Sequence, residues 1–147
     1  MTAQTLAAAL SQLFQNNWSL SSPAVGDILW TDTKPDLMQL LQWTKNYVVG
    51  LYNPPNPVVT KALCRELWQI FEHVYADVYV KVTSTVDAAA VIRETIRGEI
   101  YRIAHTQEFQ VAGQKNVDIV REPHKIESPE MVRLAIELAG ESWDIRT

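Results

Sequence analysis

Residues 74–105 read VYADVYVKVTSTVDAAAVIRETIRGEIYRIAH, and the hydrophobic period changes partway along them. In the first nine, Val74, Ala76, Val78, Val80 and Val82 fall on one side and Tyr75, Asp77, Tyr79 and Lys81 on the other. Strict alternation is the period of a pleated strand with one buried face. From Val86 the pattern changes: Ala89, Ile92, Ile96, Ile100 and Ile103 recur at intervals of three and four, the stripe of an amphipathic helix. Arg93, Glu94, Arg97 and Arg102 occupy the rest of that helix, and Asp87 is a favourable N-terminal charge or cap. The stretch predicts a strand over about 68–84 followed by a helix over 86–105.

Outward from this pair, the order of elements defines the class. Residues 47–52 (YVVGLY), bounded by Asn46 and Asn53-Pro54-Pro55, predict a buried strand. Leu63, Leu67, Ile70, Phe71 and Val74 also fit a helix, so the start of the long strand is ambiguous. A short strand is expected over 117–121. Residues 131–138 present a conflict. Ser128-Pro129-Glu130 is a strong helix start and Gly140 a helix stop, yet Val132, Leu134, Ile136 and Leu138 alternate with Arg133, Ala135, Glu137 and Ala139. We read a strand, because it can pair with the 74–82 strand and cover the helix. At the other end, Leu6, Leu10, Leu13 and Phe14 make one stripe on a helix over 2–15, with Gln4, Ser11, Gln12 and Gln15 opposite and Asn16-Asn17 as the stop. A loop follows through Ser21-Ser22-Pro23, Ile28-Leu29-Trp30 and Asp32–Pro35, then one or two helical turns over 36–43. The expectation is a single α+β domain over 1–147: a small antiparallel β-sheet with one long helix packed on it and a short N-terminal helix.

At 147 residues the chain is long enough to bury a core without metals or disulfides. Apolar residues make up 47%, yet no run approaches the roughly 18 needed to span a membrane. The first residues lack the basic region of a signal peptide. Thirteen basic against 17 acidic residues give a net charge of −4, which argues against direct nucleic-acid binding and its basic field.

Motifs of chemistry are missing. His73, His105 and His124 form no H-x-H or H-E-x-x-H pair, and Glu122-Pro123-His124 reads as an exposed turn. Phosphate-cradling glycine loops and a nucleophile elbow are absent. The lone Cys64 lies beside Arg65 with no nearby histidine and reads as a small packed residue. Glu94, Glu99, Glu137 and Glu141 read as surface ion-pair partners of little individual weight. The sequence predicts no catalytic residue, no cofactor and no metal.

What remains is assembly. From Met1 to Gly26 there is no ionisable side chain, so the helix opposite the Leu6, Leu10 and Phe14 stripe carries no charge to desolvate. Trp18 follows directly and could anchor in a partner pocket. The five tryptophans suit interface anchors, the core of a loop-rich half, or a carbohydrate-stacking platform. The strand face of Tyr75, Asp77, Tyr79 and Lys81 suits either a half-wet sheet face or the polar side of a subunit contact. Leu6, Leu10, Phe14, Trp18, Tyr75, Asp77, Tyr79 and Lys81 are therefore the candidate self-association residues.

Three blocks carry a resemblance: NNWSLSSP at 16–23; VYADVYVKV at 74–82 with EIYRIA at 99–104; and VDIVRE at 117–122 with MVRLAIEL at 131–138. In this arrangement the chain resembles the tail-terminator or tail-completion (neck) proteins of long-tailed phages and related archaeal proviruses. The resemblance implies a non-enzymatic virion protein forming a ring homo-oligomer, commonly a hexamer, between tail-tube and head-connector proteins. It implies a place in the virion and the host cytoplasm, and no membrane partner. The alternative is a cellular α+β oligomeric adaptor in the cytoplasm.

Overall fold

A computed structural model describes residues 5–36, 42, 44–63, 67–106, 110–111 and 114–145. Its fold is α+β: the expected long helix and a short N-terminal helix stand against one β-sheet. Thr5 opens the first helix, α1 (Leu6–Asn17), by accepting a hydrogen bond from the Ala8 N–H at 3.2 Å. The strands are β1 (Ile28–Thr31), β2 (Tyr47–Tyr52), β3 (Val58–Ala62), β4 (Leu67–Lys81), β5 (Gln110–Val111), β6 (Gln114–Glu127) and β7 (Met131–Ile145). The long helix, α2 (Val86–Thr106), lies between β4 and β5 in the chain.

Among the described residues the sheet has seven strands in the order β1-β2-β4-β7-β6-β5, with β3 joining β4 beyond the end of β2. The antiparallel expectation holds except at one edge. Residues Ile28-Leu29-Trp30, expected in a loop, form β1, which pairs in parallel with β2. A four-residue strand is too short for its periodicity to register. Asn53–Pro57 divides β2 from β3 along the same flank of β4. Its prolines cannot donate to the ladder, and Asn56 takes the left-handed conformation at φ 55°, which asparagine tolerates better than most residues.

The segment 131–138 is strand, and the whole of β7 pairs with β4, from Lys81↔Met131 to Leu67↔Ile145. Ser128 does act as a cap, but of a hairpin: its Oγ accepts from the Met131 N–H at 3.2 Å, and its own N–H donates to the Met131 carbonyl at 2.9 Å. The expected strand over 117–121 is one part of the longer β6. Register shifts interrupt β6, one of them across Pro123 between Arg121 and His124.

The core lies between the sheet and the helices. Val74, Ala76, Val78 and Val80 from β4 meet Val132, Leu134, Ile136 and Leu138 from β7, under Ile96, Ile100 and Ile103 of α2. The helical turns expected over 36–43 lie mostly outside the described residues, as does Cys64. No helix among the described residues is long and apolar enough to cross a membrane.

Candidate functional site

The face of the sheet opposite α1 and α2 holds a polar cluster that alternation alone placed in solvent or at a subunit contact. Arg133 on β7 donates to Asp77 on β4 with both arms, Nε to Oδ1 at 2.8 Å and Nη2 to Oδ2 at 2.7 Å. The Tyr52 hydroxyl donates to the same Asp77 Oδ2 at 2.7 Å. The Arg133 guanidinium also lies 5.3 Å from the Tyr79 ring centroid. Asp77 is 0% and Tyr79 3% exposed.

Burial, then the Asp77 carboxylate, raises the Tyr79 hydroxyl to about 12, against the opposing pull of Arg133. Burial and the Asp77 hydrogen bond push Tyr52 higher still. Arg133 is raised chiefly by its hydrogen bonds to Asp77. The cluster is thus a fixed ion pair with two neutral phenols, suited to holding β2, β4 and β7 together.

Its cover comes from the chain after β1. A Cβ on Gly50, the register partner of Asp77, would stand 2.7 Å from the Thr33 carbonyl oxygen and 2.8 Å from Pro35 Cδ. The Thr33–Pro35 segment crosses the sheet there at a distance only glycine permits. The expectation that Tyr75, Asp77, Tyr79 and Lys81 form a half-wet sheet face or a subunit contact is corrected for two of them: Asp77 and Tyr79 belong to the subunit's own interior. Tyr75 is half-buried, edge-on to Tyr52 and to His124 at 5.7 and 6.3 Å between centroids. Lys81 is also half-buried.

The N-terminal stripe is corrected in the same sense. Leu6, Leu10 and Phe14 are 0–1% exposed and sit in the core that β4, β7 and α2 share. A stripe must be buried, but periodicity cannot say against which chain. Trp18 meets Trp30 edge to face at 5.4 Å and donates from Nε1 to the Pro23 carbonyl at 3.0 Å. It remains partly exposed.

Two carboxylates read as surface partners are buried. Glu99 on α2 accepts from Ser19 N–H at 2.9 Å and Ser19 Oγ at 2.7 Å, and also from Arg102 Nε. Burial alone would raise its pKa, but the Arg102 and Ser19 hydrogen bonds outweigh it and hold the group below the usual carboxylate range. Glu137 faces Arg121 at 3.3 Å and His73 Nδ1 at 3.5 Å. Arg93, 2% exposed, bonds Glu127 at 3.0 Å, while its Nε and Nη1 have no partner among the described residues. His105 lies 3.8 Å from Asp118. Among the described residues, no three His, Cys, Asp or Glu side chains gather as metal ligands would.

The surface that sequence reading missed is the end of the sheet beyond the described helices. All five residues of β3 are exposed, and Leu67–His73 of β4 are only half-buried. Register places Val58, Thr60, Ile70 and Glu72 on the helix side, in phase with Val74, and Val59, Lys61, Gln69 and Phe71 on the other. Val58 and Val59 are each 51% exposed, one on each face. The signal was present in the apolar pair Val58-Val59 after Pro57, but a turn-rich neighbourhood hid it.

No protein-family model matches the chain, and comparison with curated proteins finds no match.

Proposed function

We propose that this chain is a non-enzymatic virion structural protein that assembles head to tail into a ring at the end of a phage-type tail tube, facing the head connector. The carrying observation is the sheet end of β3 and the first half of β4, which bears apolar side chains on both faces and is uncovered by the described helices. Exposed apolar surface of this kind marks an association site. Two different faces on one subunit make a heterologous contact, and a heterologous contact that closes gives a ring. The resemblance of the 16–23, 74–82, 99–104, 117–122 and 131–138 blocks to tail-terminator proteins supplies the setting, with six copies as the expected number and tail-tube and connector proteins as partners. Net −4 favours protein partners over nucleic acid.

The test is electron microscopy of the purified chain added to a polymerising tail-tube protein. Rings at one end of the tubes, with tube growth halted there, are expected. Oligomers that ignore tube ends would overturn the tail reading and favour a cellular adaptor.

A further inference from the structure

From the charges on the sheet end, and resting on the ring reading above, we infer that the joint between copies is a stack of one copy's helix-side sheet end on the next copy's opposite face, closed by Glu72 against Lys61. The occupant of each face is a second copy of this chain. The helix-side face presents Val58, Ile70 and Glu72; the other presents Val59, Phe71 and Lys61. Each face therefore carries aliphatic or aromatic surface around a charged group, and the charges are opposite. Among the described residues, the side chains of Lys61 and Glu72 have no ionic or hydrogen-bonding partner, although most acidic and basic groups around them are paired. Gln69 and Glu141, the polar neighbours on the Lys61 face, are bonded to each other.

The two faces are complementary to each other and not to themselves. Helix-side against helix-side would bring Glu72 onto Glu72, and the reverse pairing Lys61 onto Lys61. Only the unlike stacking joins opposite charges, and unlike stacking is head to tail. Packed sheets stand about 10 Å apart, a gap that an extended lysine and glutamate span together. Burial already raises the Glu72 carboxyl above its ordinary value. A lysine from the next copy would reverse that burden.

Sedimentation velocity on the full chain tests the joint with Lys61→Glu, Glu72→Lys, their equimolar mixture and the double exchange. Each reversal alone makes both faces of a copy alike in sign. It should lower the association constant roughly tenfold or more. The mixture should recover wild-type assembly. In it, copies acidic on both faces alternate with copies basic on both faces, so every joint again meets unlike charges. The double exchange should recover assembly too. A reversal whose circular dichroism departs from wild type is replaced by Lys61→Gln or Glu72→Gln, for which a smaller loss is expected. Reversals that assemble like wild type would overturn the inference, as would a mixture that fails to recover. Wild type that stays monomeric at high concentration would overturn both this joint and the ring. Assembly that obeys the charge rule without capping tube ends would leave the joint standing and remove only the tail reading.

Discussion

Removing the Asp77 carboxylate would leave the Arg133 guanidinium buried without its counter-charge and the Tyr52 hydroxyl without its acceptor. Asp77→Ala is expected to destabilise the fold by about 3–5 kcal/mol, read by urea denaturation. Tyr52→Phe, which removes one hydrogen bond to a charged group, should cost about 1.5–3 kcal/mol. An Asp77→Ala loss no larger than that of Tyr52→Phe would mean the ion pair is not buried as described. The aspartate stood out in the sequence as a charge within a valine-rich strand. Its partner did not, since Arg133 lies 56 residues away and reaches Asp77 only through the β4–β7 register. Glu99 was misread for the same reason: Ser19, which binds it, is 80 residues distant.

The stacking of α2 on the sheet is a property of elements, and its stripe was legible. Ile96, at the middle of α2, is 0% exposed. Ile96→Ala should cost about 2–5 kcal/mol, seen as a lower melting temperature, and an unchanged one would contradict the packing. The β7 segment shows why local signals alone mislead. Ser128-Pro129 carries the chemistry of a helix start, and Ser128 uses its hydroxyl on the same third residue onward, but to close a hairpin. The long ladder with β4, together with burial of Val132, Leu134, Ile136 and Leu138 under α2, outweighs the cap. A cap contributes on the order of 1 kcal/mol, whereas four buried aliphatic side chains contribute about 1.5–3 kcal/mol each.

At the scale of the molecule, the described helices leave one end of the sheet bare. If copies bury that end against each other, association adds to folding stability by mass action. The melting temperature should then rise with protein concentration, and the Glu72→Lys variant should lose that rise while its dilute-solution melting temperature stays near wild type. A concentration-independent wild-type transition would argue against the assembly. The alternation of 74–82 and the isoleucine stripe of 86–105 followed from side-chain periodicity, so that strand and that helix could be read directly, whereas the alternation of 131–138 competed with a helix-start signal and was decided by its pairing with β4. Which surfaces those elements buried could not. The period of a stripe names the face that avoids water and is silent on what covers it. Only the tertiary structure turned Leu6, Leu10 and Phe14 inward, laid Thr33–Pro35 over Gly50 beside Asp77, and left Val58, Val59, Ile70 and Phe71 beyond the reach of the described helices. Those outcomes depend on contacts between residues far apart in the chain, and a local pattern carries no record of them.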